Sequence, residues 1–328
     1  MMEAKLYRSF GNHARCLLCW RLCRVEDYGF CRCRIFREGK LYTLTYGNLS
    51  ACESRPMEIK PFFHFKPGDS SLTFSTYSCN LDCPWCQNWH LSKTPPRERY
   101  DFVPPERLVE IALRNNDNGV CASFNEPTLL FEYLLDLFPV AKRNNLHTTI
   151  VSNGYMTVKA LEMLRKAGLD GMNVDVKGNE KVYEMIGGKA KFVWKVVKSA
   201  KKLGIHVEIV NLVITNLNDK EEDFEWVVEN HLKFAGEEVP LHFTRYFPAY
   251  LFTSPPTKVE RIEKAAEIAK REGVKFVYVG NVPGHRLENT YCPECGKLLI
   301  RRYSYRVLEN KIANGRCFNC KAEIYGVF

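Results

Sequence analysis

"SLTFSTYSCNLDCPWCQNWH", residues 71–90, runs from a β-rich stretch straight into three cysteines, Cys79, Cys83 and Cys86, spaced C-x3-C-x2-C. Three is an awkward number of thiols. A closed tetrahedral zinc site takes four ligands, and an iron–sulfur cubane normally takes four thiolates. Either a fourth ligand arrives from elsewhere or one corner is left open to something that is not protein.

Outward from this stretch the chain alternates short β-rich runs with helical patterns. The β runs fall at 71–78, 120–124, 147–152, 171–177, 206–214, 241–247 and 275–282, and the helical patterns at 104–114, 128–144, 157–167, 192–203, 219–234 and 257–271. Pro104–Pro105 opens one helix, and Gly168 and Gly204 stand just past two others, as start and stop signals require. Such alternation predicts an α/β fold of parallel β/α units, a partial or full (βα) barrel with chemistry at the C-terminal ends of its strands. Three segments are expected: a cysteine-rich lead-in over 1–68, the barrel over 69–287 and a zinc-ribbon-like appendage with four cysteines over 288–328.

The 328 residues suffice for one large domain with small additions, and 45% hydrophobic with 26% charged residues is ordinary for a globular chain. The first residues lack the apolar run of a signal peptide, and no stretch approaches the length of a membrane span. A cytoplasmic protein is therefore expected, in a compartment that keeps thiols reduced. Fourteen cysteines then read as metal ligands rather than disulfides. They are clustered, and only Cys52 and Cys121 stand alone, read as small buried hydrophobes. The net charge of +9 sits at the two ends, residues 1–40 and 292–328, with a neutral middle. Charge balance around thiolates explains this most simply; a basic surface for a nucleic acid is the sharper reading.

The strand ends are polar where plain connections would not need to be. They carry Asn125–Glu126, Ser152–Asn153–Gly154, Asp175 and Lys177, Asn211 within the long fifth run, and His242, Arg245 and Tyr246 at the sixth. A lone Asn or Asp after a strand is more often a helix cap than a ligand. Several such ends around one cysteine loop instead mark a site.

C-x3-C-x-aromatic-C after a first strand resembles the radical S-adenosylmethionine superfamily, with Cys79, Cys83 and Cys86 as the triad and Trp85 in the aromatic position. The resemblance implies that the triad holds a [4Fe-4S] cluster whose fourth iron is chelated by S-adenosylmethionine. It further implies reductive cleavage to a 5′-deoxyadenosyl radical, with electrons from a donor such as flavodoxin or ferredoxin. "FNEP" (124–127) stands where the family has Gly-Gly-Glu-Pro, with Phe-Asn replacing the glycines. By the same resemblance Asn125 and Glu126, Ser152, Asn153 and Gly154, Asp175 and Lys177 of "DVK", and Asn211 contact the cofactor. "DVK" is similar to a motif of glycyl-radical-enzyme activases, which act on protein substrates. Across nearly the whole chain, "CLLCWRLC", "EIKPFFHFKPG", "CQNW", "PLHFTRYFP", "YCPECGKLLI" and "RCFNCKAEIYGVF" resemble the AmmeMemoRadiSam-system radical enzymes, a pyruvate formate-lyase activating enzyme-like group whose substrate the resemblance leaves open.

Both ends carry further thiols. Cys292, Cys295, Cys317 and Cys320 form two C-x2-C pairs around a 21-residue hairpin-like segment, as in a zinc ribbon, with a rubredoxin-like iron site as the rival. Cys16, Cys19, Cys23 and Cys31 suit either a second iron–sulfur cluster or zinc, with Cys33 as a fifth, spare candidate. His242, Arg245 and Tyr246 are placed on the substrate side. A radical enzyme acting on a protein is the leading reading. Radical modification of a small molecule or RNA is the alternative, and a non-catalytic zinc-ribbon module on a degenerate barrel is the reading from a different class.

Overall fold

The computed structural model describes residues 1–328. The chain forms two compact units, one of Met1–Arg55, Ser70–Met172 and Ile186–Gly188, the other of Pro56–Asp69, Asn173–Met185 and Lys189–Phe328. The class is α/β, as the alternation predicts.

In the first unit, β1 (Ser70–Ser75), β2 (Gly119–Ala122) and β3 (His147–Ser152) are neighbours in parallel register, Leu72 opposite Val120 and Thr149 opposite Cys121. Helices α1 (Pro105–Arg114) and α2 (Phe131–Arg143) connect them, and α3 (Val158–Ala167) follows β3. The strands are buried almost throughout, yet β1 and β3 carry Ser and Thr among their apolar residues, so burial on both faces is not announced by a continuous apolar run. Helix α1 turns Pro105, Leu108, Val109 and Ala112 inward, the spacing of one helix face. Helix α3 begins at Thr157, whose side chain accepts from the Ala160 amide, and stops at Gly168, whose φ of 116° excludes most side chains.

A strand beside β1, Ala51–Pro56, has no counterpart among the sequence expectations. Its residues are mostly exposed, so it lacks the apolar pattern that identifies the others. Cys52 lies on it and is exposed, which corrects the expectation of a buried hydrophobe; Cys121 on β2 is buried as expected. Residues 1–43 add two small three-stranded antiparallel sheets.

The second unit orders β4 (Gly171–Asp175, from Asn173 onward), β5 (His206–Val213), β6 (Leu241–Arg245) and β7 (Val277–Gly280) as neighbours, with β5, β6 and β7 parallel. Helices α4 (Ala190–Lys202), α5 (Glu221–Phe234) and α6 (Val259–Arg271) alternate with them. The C-terminal segment forms the expected hairpin, Leu298–Tyr303 against Arg306–Asn310. Its buried face joins Phe63, Phe276 and Tyr278 with Leu299, Ile300 and Ile324 in one apolar cluster, together with Cys292 and Cys317.

A buried polar network fastens this arrangement. The Glu208 carboxylate on β5 accepts from the Phe63 and His64 amides at 3.0 and 2.8 Å and pairs with His206 and His242 at 3.1 and 2.8 Å. Burial would raise its pKa; the two imidazoles reverse that and hold it well below the ordinary carboxylate range. Arg302 of the hairpin donates to the Phe63 carbonyl at 2.7 Å, stacks on that ring and lies 3.7 Å from Glu58.

Two histidines of this unit tie stability to pH. Burial lowers His64 from 6.5 to about 3, against the opposing charge of Glu208 and with Arg302 and His206 adding to the effect, and burial lowers His231 of α5 to about 3 as well. The unfolded chain binds these protons near pH 6.5, whereas the native chain resists until about 3, so native stability falls as pH drops through that window. The thermal midpoint is expected to decrease steadily from pH 7 to pH 4, and His231→Gln to reduce that slope. A slope unchanged in the variant would remove His231 from this account.

Candidate active site

The loop after β1 carries Cys79, Cys83 and Cys86, and donors from the same unit converge on its first thiol. The Leu81 amide points at Cys79 Sγ from 3.5 Å and Asn153 Nδ2 from 3.7 Å. Cys86 Sγ lies 3.0 Å from Ser92 Oγ, and Cys83 and Trp85 are buried. Burial pushes the Cys79 thiol up, and Glu126 and Cys83 push it further. Three thiolates cannot coexist there without compensating positive charge. An iron–sulfur cluster supplies that charge, and N–H groups aimed at ligand sulfur are the outer-shell contacts that such clusters use. The donor set therefore fits a [4Fe-4S] cluster.

The ends of β2 and β3 are built around one carboxylate. Glu126 is buried; Oε1 accepts from the Thr128 amide at 2.9 Å, from Thr128 Oγ1 at 2.5 Å and from Ser152 Oγ at 2.8 Å, while Oε2 accepts from the Asn153 amide at 2.9 Å. Burial raises its pKa, opposed by those hydrogen bonds. Asn153 Nδ2 also donates to Asn80 Oδ1 at 2.8 Å, and Asn125 Nδ2 to the carbonyls of Thr76 and Ser78 at 2.9 and 2.8 Å. The structure thus brings Cys79, Asn125, Glu126, Ser152, Asn153 and Gly154 together. Asn80 is an addition that the sequence expectations lack. Its place between two cysteines of the triad, in "CNLDC", is the signal that could have found it.

The turn at "FNEP" bends as a glycine would. Phe124 has a φ of 65°, Ser78 one of 68° and Gly154 one of 69°. A non-glycine residue in the left-handed region costs about 1–2 kcal/mol and is tolerated where surrounding contacts over-determine it. Here the Phe124 carbonyl accepts from Asn88 Nδ2 at 2.5 Å.

In the second unit, Lys177 Nζ meets Asp175 Oδ2 at 2.5 Å, and Asn211 Nδ2 donates to the Val176 carbonyl between them at 2.8 Å. Arg245, last on β6, donates from Nε to the Thr257 carbonyl at 2.7 Å and packs over Phe247. Tyr246 is buried and donates to the Phe252 carbonyl. His242 is the second residue of β6, far from the strand's C-terminal end, and is committed to Glu208.

Two further thiol sets are assembled. The sulfurs of Cys292, Cys295, Cys317 and Cys320 lie within 4.8 Å of one another, Cys292 and Cys320 at 3.5 Å and Cys295 and Cys317 at 3.7 Å. Bonds of about 2.3 Å from a tetrahedral zinc give a sulfur–sulfur edge of about 3.8 Å, so the set is of zinc-binding size. At the other end of the sequence, Cys16, Cys19, Cys23 and Cys31 line one cavity together with Arg34 and Asn80.

A family model described as the radical SAM superfamily matches residues 73–229. The chain belongs to the radical S-adenosylmethionine superfamily. It is 39% identical over 332 residues to an uncharacterized protein of Methanocaldococcus jannaschii, covering 99% of both chains. It is 27% identical to a probable GTP 3′,8-cyclase of Pyrococcus horikoshii over 75% of this chain and 76% of that one, and 27% identical to a pyruvate formate-lyase-activating enzyme of Clostridium pasteurianum over 48% and 67%. Among solved structures, a radical SAM methyltransferase from Sphaerobacter thermophilus aligns with a TM-score of 0.52 at 14% identity, covering 71% of each chain, which shows a shared fold. Members of this superfamily are enzymes, and membership implies a [4Fe-4S] cluster and S-adenosylmethionine as cofactors. No helix is long and apolar enough to cross a membrane.

Because the Phe124 backbone takes a conformation natural to glycine, Phe124→Gly is expected to cost less stability than Phe124→Val, although it removes more side chain. Chemical denaturation of both variants checks this. A more stable valine variant would show that packing, not the left-handed turn, sets the preference at 124.

Proposed function

We propose that the chain is a radical enzyme that cleaves S-adenosylmethionine reductively and takes a hydrogen atom from its substrate, with a protein as the substrate class. Cluster and cofactor together supply, when bound, a 5′-deoxyadenosyl radical. The observation that supports this most strongly is the three-thiol loop at the end of β1, met by the Leu81 amide and Asn153 Nδ2 at Cys79. Cys79, Cys83 and Cys86 hold the cluster, with the buried Trp85 between the last two. Glu126 sets the ends of β2 and β3; its Oε2 accepts only from the Asn153 amide and keeps capacity for a donor such as the methionine amine. Asn125, Ser152, Asn153 and Gly154 shape the adjoining backbone. Asp175, Lys177 and Asn211 are assigned to the amino-acid tail and ribose side of the cofactor by the "DVK" likeness.

The activase relative and the "DVK" likeness favour a protein substrate. The cyclase relative favours a small molecule as the second reading. The segments shared along the whole chain support a place with the AmmeMemoRadiSam-system enzymes, and a flavodoxin or ferredoxin is the fitting electron donor. We assign zinc to Cys292, Cys295, Cys317 and Cys320, where metal binding is also folding free energy for a small hairpin module. Arg245 is the sixth-strand residue kept for the substrate side; His242 and Tyr246 serve packing in this reading.

Cys83→Ala tests the assignment, since two thiols cannot hold three irons. Incubated anaerobically with reductant and S-adenosylmethionine, the reconstituted wild type is expected to form 5′-deoxyadenosine and the variant none. Equal formation by both would refute the role of the triad.

A further inference from the structure

Five cysteines between residues 16 and 33 leave the sequence undecided between zinc and a cluster, and undecided about which thiol is spare. The structure separates these choices. Cys16, Cys19, Cys23 and Cys31 line a single cavity, and Cys33 is not part of its wall. Cys33 is buried; its thiol is directed at the Tyr77 carbonyl, 3.6 Å away, and also meets the Cys31 thiol from outside the cavity wall.

The shape of this set differs from that of the C-terminal one. There the sulfurs touch in pairs at 3.5 and 3.7 Å, leaving room for a single ion. Here four thiols stand around open space. Besides them the wall is apolar, with Leu18, Val25 and Leu129, and cationic, with Arg21 and Arg34; no carboxylate lines it. Arg34 is buried and paired with Glu132 at 2.8 Å. Arg21 donates to the backbone carbonyls of Asn80 and Ile186, at 2.5 and 3.4 Å, so its charge is available to balance an anionic centre. Four thiols, an apolar lining and guanidiniums suit a cluster carried by four thiolates, which is bulkier than a lone ion and anionic overall.

The cavity is also held rigidly beside the loop of the triad. The Leu18 carbonyl accepts from the Thr157 amide at 3.0 Å, the Trp20 amide donates to the Tyr155 carbonyl at 3.1 Å, and the Leu17 carbonyl accepts from Thr157 Oγ1 at 3.0 Å. These bonds pin the Cys16–Cys23 loop to the segment that follows β3. Asn80 forms part of the cavity wall, and its Oδ1 accepts from the same Asn153 Nδ2 that points at Cys79. Asn80 therefore borders both the cavity and the triad loop.

We infer that Cys16, Cys19, Cys23 and Cys31 hold a second [4Fe-4S] cluster, seated against the Cys79–Asn80 segment, with Cys33 outside the ligand set. The four thiols and both guanidiniums belong to the N-terminal segment, and none of Cys79, Cys83 and Cys86 lines the cavity, although Asn80 and Leu129 complete its wall.

Metal analysis with electron paramagnetic resonance tests it. Anaerobically reconstituted wild type is expected to hold about eight iron and eight sulfide per chain, together with one zinc. The triple variant Cys79→Ala/Cys83→Ala/Cys86→Ala leaves the N-terminal cavity intact and should keep about four iron, a brown colour and, on reduction, the signal of one isolated cluster. Cys16→Ala/Cys19→Ala should likewise keep about four iron, and Cys33→Ala about eight. Reduced wild type should give a spectrum broadened relative to either single-cluster variant, since two nearby unpaired spins interact. Cys295→Ser should lose zinc and no iron. A triple variant that folds, by circular dichroism, yet holds no iron would overturn the proposal, as would a second zinc per chain. Loss of iron in Cys33→Ala would overturn the ligand assignment.

Discussion

The buried Glu126 carboxylate is the joint on which the first unit's site depends. One oxygen gathers Thr128 and Ser152, the other the Asn153 amide, so the ends of β2 and β3 are set by a single side chain. Asn153, once fixed, aims its Nδ2 at both Cys79 and Asn80. Burying a charge is unfavourable unless its hydrogen-bonding capacity is met, and here the protein meets it with groups that must themselves be positioned for chemistry. Removing the carboxylate would leave those donors stranded in a buried place, which is why a glutamate rather than a smaller or neutral residue suits this turn.

Three thiol sets in one chain differ in what their surroundings permit. The C-terminal four sit at zinc-like spacing, on a hairpin whose buried face and Arg302 are locked into the second unit. The N-terminal four surround a cavity with cationic walls. The triad lies on one short loop and offers three thiols, one fewer than a cubane has irons, as the proposed binding of a cofactor requires. Spacing in the sequence marks all three sets as candidate metal ligands, and the spatial arrangement is what favours an ion at one end and a cluster at the other.

The core strands were legible because short runs rich in β-branched and aromatic residues stand between turn signals, and β3 begins and ends where the sequence places it. The triad was legible because its three cysteines fall within eight residues. The strand Ala51–Pro56 was not, since it is exposed and carries no apolar pattern. Asn80 was hidden because an asparagine inside a cysteine loop has no periodicity to mark it. His242 looked like a site residue beside Arg245; its partner Glu208, 34 residues earlier, is what places it in a buried network, and no local pattern announces such a pair. Phe124 could be aligned with a glycine in sequence, but its positive φ is a property of the folded turn.

The central claim is that the triad leaves one iron open and that S-adenosylmethionine occupies it. Electron–nuclear double resonance on the reduced triad cluster, in the Cys16→Ala/Cys19→Ala variant so that a single cluster contributes, tests this directly with cofactor labelled at the methionine amine nitrogen and carboxylate oxygen. The account predicts hyperfine coupling to both labels, appearing on cofactor addition and absent without it. A reduced cluster whose spectrum is indifferent to the cofactor, or that couples instead to a protein nitrogen, would contradict it.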